Sequence, residues 1–223
     1  MVEQLRPEIA HDHAARYRLA AAGAASVPDL VTGWDATPTL RAGIIVTFGI
    51  LLWYAENAGA PLPRADRVTA RRHLIRGSGA EEAWIRQGFI EAAEWTHDPI
   101  WIPLVRRVDP RSPAIGRLEA EHRVRSAGEL VAALEELWEA LCGEGWVSDQ
   151  GLCRSTQLGF STAQAAIERQ DGRTARAALA AMGVNVGAAR GRGVRSESYD
   201  LLKSGIAAIE AALAPLIAPP PLH

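Results

Sequence analysis

The sequence predicts an all-α protein, with an N-terminal helical region packed on a C-terminal antiparallel four-helix bundle. Three observations carry this. Helix starts and stops recur from end to end: hydroxyl or acidic residues stand before apolar-periodic runs, and glycines or prolines follow them. The runs between are rich in Ala, Leu, Glu and Arg, the strong helix formers. Stretches with the period-two alternation of a half-buried strand are scarce.

Taken in order, the first helix is expected from about Gln4 to Gly23. Thr37-Pro38 opens the second, a hydroxyl before a proline at the first helical position. That helix crosses the most apolar stretch, Gly43 to Tyr54, and stops at Asn57-Ala58-Gly59, with Pro61 and Pro63 beyond. Its β-branched cluster, Ile44 to Thr47, also suits a strand, but length and caps favour helix. A basic helix, Asp66 to Arg76, ends at Gly77. Ser78-Gly79-Ala80-Glu81 has the form of a capping box and launches a helix to about His97. From Asp98 to Pro113 the chain carries four prolines and reads as an extended crossing. The domain boundary is placed there or shortly after, giving a Trp-rich region 1–125, a bundle 126–214 and a flexible tail 215–223.

Ser126-Ala127-Gly128-Glu129 is a second capping box, ahead of LVAALEELWEALC with apolar residues at helical spacing. Gly143 and Gly145 end that helix, and Ser148 is expected to cap the next, Asp149 to Gln170. Asp171-Gly172 turns into a third, Arg173 to Arg190; Ser196 starts a fourth that ends before Pro215. Four amphipathic helices with short loops predict the antiparallel bundle.

Composition narrows the function. With 48% apolar residues the 223-residue chain can bury a sizeable core. A net charge of −2 with no long run of one sign lacks the footprint of a nucleic-acid binder. The longest apolar stretch, about a dozen residues, falls short of the ~20 a membrane span needs, so it is read as a buried helix and no membrane role is assigned. The N-terminus, MVEQLRPEIAHDHAARYR, has acids and histidines where a secretory signal would be basic and apolar, so the expected address is the cytoplasm. Cys142 and Cys153 flank the Gly143–Gly145 break, and paired helices would let their thiols face each other. Spacing alone does not establish a disulfide. In a reducing cytosol the two read as small semi-buried residues.

The C-terminal half carries a further signal. Its LV opening, a GW-V-D turn, the run AQAAIERQDGRTARAAL, an A-x-R-G-x-G-V loop and a closing DLL helix lie between about Leu130 and Leu213. In these features the stretch resembles the helical module called the FIMAH domain. The resemblance implies an all-helical accessory module of the kind appended to larger secreted bacterial proteins, with no catalytic residues to carry over. This chain departs from that setting in having no recognisable leader and no obvious catalytic partner domain.

Candidate chemistry lies in the N-terminal half, which holds five of the seven tryptophans. Stepping back by helical spacing from Glu56 meets Trp53, Leu52, Phe48 and Ile45, so this carboxylate continues an apolar stripe. Trp84, Gly88, Glu91 and Trp95 share another stripe, which sets Glu91 between two indoles. Carboxyls in apolar surroundings are candidates for general acid or base work; a glutamate paired with an arginine or extending to the rim is the plainer alternative. Glu94 and His97 form a Glu-x-x-His step on one helix face. Di-metal bundles use two such steps with two more carboxylates, and only one occurs here, so no metal is assigned. His97-Asp98 at a helix end is read as a cap, and His11-Asp12-His13 as a solvated first turn. Among the basic residues Arg64, Arg67, Arg71, Arg72 and His73, Arg71 and Arg72 are the candidates to hold an anionic group.

The expected function is therefore a small-molecule enzyme. Glu56, Glu91, Glu94 and His97 would supply acid/base chemistry, while Trp53, Trp84, Trp95, Arg71 and Arg72 would bind an anionic substrate. Proton abstraction, hydrolysis or ring closure would suit these groups, in bacterial specialised metabolism and without a cofactor. The alternative is a helical scaffold whose exposed aromatic residues anchor a protein partner.

Overall fold

The computed structural model describes residues 12–58, 62–120 and 125–217. The start of the first expected helix, His11, the Gly59 and Pro61 stops and the PPPLH tail lie outside the described residues. Eleven α-helices are described and no strand, so the protein is all-α. The chain divides into two compact units, Met1–Arg123 and Val124–His223.

In the first unit, α1 (His13–Ala21) begins where the Asp12 side chain accepts the Ala14 amide. After a 3-10 turn, α2 (Val27–Ala36) buries Leu30 and Trp34 in a stretch where the sequence reading names no helix. Pro38–Leu40 forms another 3-10 turn, and α3 (Arg41–Asn57) follows. The strand alternative for Ile44–Thr47 fails: all four residues are helical and buried.

Every residue from Gly43 to Leu52 is buried, so α3 is apolar around its whole circumference. Such a helix belongs at the centre of a fold. Together with the preceding turn it is the one helix among the described residues long and apolar enough to cross a membrane, Pro38–Asn57. Around it stand α1, α2, α4 (Arg64–Ser78) and α5 (Ala83–Thr96). The tightest crossing is with α5, where glycines let the backbones meet. A Cβ on Gly49 would lie 2.5 Å from the Ala92 carbonyl oxygen, and one on Gly88 would lie 2.9 Å from the Ala42 Cα.

Two expectations are corrected here. The Ser78–Glu81 capping box does not form. Ser78 closes α4 instead, its hydroxyl donating to the Ile75 carbonyl, and α5 starts after Glu82 without a side-chain cap. The segment 98–113 is not an extended crossing either. It folds as a 3-10 turn (Pro99–Trp101), α6 (Ile102–Val108) and the start of α7 (Pro113–Ala120). Trp101, Val105 and Ala114 are fully buried within the first unit. Its prolines fall at helix starts or in the intervening loop, where a missing N–H breaks no helical bond.

The second unit is a four-helix bundle of α8 (Ala127–Gly143), α9 (Gln150–Glu168), α10 (Gly172–Ala188) and α11 (Ser196–Ile217). Each helix packs on the next and α11 returns to α8. The Ser126 capping box is complete: the Ser126 hydroxyl accepts the Glu129 amide, and the Glu129 carboxylate accepts the Ser126 amide. Asp149, rather than Ser148, caps α9 by accepting the Leu152 amide. Asp171 caps α10, and hydrogen bonds from the Thr174 hydroxyl and amide lower its carboxyl pKa.

The last helix runs through Pro215 rather than ending before it. The carbonyl left without a helical donor there belongs to Ala211, which is exposed. At one end of the bundle the α8–α9 and α10–α11 loops are stitched together. Val147 bridges Val194, the Ser148 amide donates to Gly193 O at 2.9 Å, and the Arg195 amide donates to Trp146 O at 3.0 Å. The same end carries the Cys142–Cys153 disulfide, with Cα atoms 6.2 Å apart. The two cysteines are thus not separate semi-buried thiols.

A candidate acid/base cleft on the C-terminal end of α5

The C-terminal turn of α5 projects Glu91, Glu94 and Trp95 to one side, because residues three and four apart share a helix face. His97 follows as the cap, in the left-handed conformation at φ 50°, its amide donating to the Glu94 carbonyl at 3.0 Å. These four line a cleft of about 400 Å³ whose opposite walls are His13, at the start of α1, and Arg117 and Leu118 of α7. The surface is mostly apolar. A mainly apolar concavity with a few convergent polar groups is the usual form of a small-molecule site.

The polar groups are held from behind. Arg16, buried on α1, donates to Glu91 Oε1 at 3.0 Å, and His13 Nδ1 lies 3.9 Å from the same oxygen. Glu94 is paired with Arg117 across the rim. Tyr17, one turn after His13, sets its ring edge-on to Trp95 with centroids 5.4 Å apart. Burial pushes the Tyr17 phenol above its ordinary pKa, and the nearby Tyr54 and Glu91 push it the same way.

The candidate residues separate into two groups. Glu91, Glu94, Trp95 and His97 come together in the cleft. Glu56, Trp53, Trp84, Arg71 and Arg72 are not among its lining residues. Glu56 lies 3.8 Å from the guanidinium of Arg71, itself only 2% exposed and 4.0 Å from Asp98. Trp53 packs against Tyr54, and Arg72 is half-buried on α4. Trp84 is 44% exposed, so Glu91, 35% exposed and paired with Arg16, is not enclosed between two indoles. A helical stripe states which residues share a face, not whether that face is covered.

Sequence reasoning missed Arg16, Tyr17, Arg117 and Leu118; its reading of His13 as a solvated first-turn residue holds, since His13 opens α1 and is 64% exposed, but it also lines the cleft. His13, Arg16 and Tyr17 do recur at helical spacing along α1, which was the available signal. Nothing local announces Arg117 and Leu118, since α7 starts where the segment read as extended ends and no helix was expected there.

No family model matches the chain. No curated protein and no solved structure matches it either. Among the described residues no group of three or more His, Cys, Asp or Glu side chains is arranged to hold a metal ion. Glu94 and His97 nevertheless share the cleft, with Glu94 committed to Arg117. What the arrangement offers is proton transfer: carboxylates and imidazoles on an apolar wall, with a guanidinium at the rim.

Proposed function

We propose that the first unit is a small-molecule enzyme working by general acid/base chemistry in the α5 cleft. The observation that carries this reading is the convergence of Glu91, Glu94, His97 and His13 on one mostly apolar concavity. Glu91 is the proton-transfer residue, fixed by Arg16, with an imidazole beside it to exchange the proton with solvent. Trp95 and Leu118 take up the apolar body of the substrate. An anionic group on it meets Arg117, the arginine that lines the cleft, in place of Arg71 and Arg72. Proton abstraction, hydrolysis or ring closure by internal displacement all suit these groups, and a place in bacterial specialised metabolism remains part of the proposal.

The test begins with a panel of small anionic metabolites, read by thermal shift and tryptophan fluorescence, followed by turnover of any that bind. E91Q keeps shape and hydrogen bonding but cannot exchange a proton, so turnover should fall by ~10²–10⁴ in a protein that stays folded, with Tm lowered only by the loss of the charge facing Arg16. Full activity in E91Q with lowered Tm assigns Glu91 to structure and removes the reading. One observation favours the scaffold alternative: Trp84 is exposed on the first turn of α5, as a partner anchor would be. If no metabolite binds and a stoichiometric protein partner is recovered through wild type but not W84A, that alternative replaces the enzyme.

We also propose kinship of the second unit with FIMAH modules. Support comes from its four short-looped helices over the resembling stretch.

A further inference from the structure

His97 is the cleft residue whose backbone is least at ease. A side chain with φ near +50° is strained wherever nothing holds it, and the ordinary remedy at a helix end is glycine. The residues on either side are both held and both buried. The Thr96 hydroxyl donates to the Ala93 carbonyl and accepts the Asp98 amide at 3.2 Å. Asp98, 2% exposed, accepts the Ile100 amide through Oδ1 and lies 4.0 Å from Arg71 through Oδ2. Arg71 reaches over from α4, with Glu56 of α3 as its second carboxylate. A charge buried that deeply is costly unless opposed. Here it is opposed by a carboxylate adjoining the strained residue.

We propose that the Arg71–Asp98 pair is a positioning device for His97: it pins the chain just beyond the left-handed residue and so keeps the imidazole at the cleft wall. Neither Arg71 nor Asp98 lines the cleft; both act through the backbone. The inference rests on the cleft being the functional site, but its test needs no substrate. D98N keeps an oxygen for the Ile100 amide while removing the charge that faces Arg71, which separates capping from pinning.

Two readouts decide it. The first is the rate at which diethyl pyrocarbonate modifies His97, followed by peptide mapping with His13 as internal reference. Releasing the strain of one left-handed residue should speed the His97 reaction roughly fivefold or more in D98N, with His13 unchanged. The second is a stability cycle of D98N with H97G. Glycine takes this φ without strain, so the pin has less to hold and D98N should lower Tm less in the H97G background. Equal Tm losses in both backgrounds, with an unchanged His97 rate, overturn the proposal. R71K, which keeps the charge but loses the planar fork, carries the same cycle if D98N does not fold. Loss of turnover in E91Q with an additive cycle would leave the enzyme reading standing and sink this one; an unliganded cleft with a coupled cycle does the reverse.

Discussion

Glu56 continues an apolar stripe on the most buried helix of the first unit because a guanidinium from the next helix meets it. The sequence shows the stripe and leaves the partner open, since Arg71 is only one of several basic residues on α4. Glu91 is the same problem with the other outcome: its arginine comes from α1, and the pairing leaves it at the mouth of a cleft. Both pairings depend on which helix faces which, so neither was legible from spacing. Gly49 is a residue whose role emerges only at that level. Alanine is the better helix former by ~1 kcal/mol, yet a Cβ here would lie 2.5 Å from a backbone oxygen of α5. Backbone cannot rotate away as a side chain can. G49A should therefore lose about 1–3 kcal/mol despite its propensity, read from denaturant midpoints. A variant as stable as wild type would show that the α3–α5 crossing is looser than described.

At the scale of elements, helix type was legible except for α2, α6 and α7, which the sequence reading left unnamed or took as extended, and helix ends were less so. The two Ser-x-x-Glu sequences make the point. Ser126 completes its box, while Ser78 is already the last residue of the helix before, with Gly79 as that helix's C-cap. S126A should cost about 1 kcal/mol, the usual worth of an N-cap. S78A should leave the start of α5 untouched, and amide exchange over the first turns of α8 and α5 would report the difference. Protection lost at the start of α5 in S78A would restore the box. Proline misled in the other direction. Four prolines between Asp98 and Pro113 suggested extension, but Pro99, Pro103 and Pro113 each sit in the first turn of a short helix. Counting prolines signals breaks; their positions within each break signal starts.

For the whole molecule, the chain divides at 123/124 into two compact units, and α8–α11 close a ring of contacts within the second. Residues 124–217 expressed alone should melt cooperatively and be helical by circular dichroism; an unfolded fragment at low temperature would mean the halves share a core. The disulfide closes a short loop across the α8–α9 turn, with a sequence separation of 11. Replacing both cysteines by serine should cost about 3 kcal/mol by the loop-closure estimate. Alkylation and mass measurement of the protein, trapped in acid as cells are opened, would find two blocked thiols if the bond exists in the cell. Two alkylated cysteines would instead fit the cytoplasmic address read from the sequence, because disulfides seldom persist there.

The stitched end of the bundle also gives the fold a mechanical direction. The chain enters α8 and leaves α11 at the end opposite the disulfide and the Val147–Val194 bridge. Pulled from those points, the helices part first where only side-chain packing joins them, and the tear runs toward a covalent stop. The disulfide withholds its loop from extension, about 30 Å of contour at ~3.5 Å per residue once the 6.2 Å already spanned is subtracted. A single-molecule trace should lengthen by that amount when a reductant is added, which makes this end of the bundle a fixed gauge of whether the bond is closed.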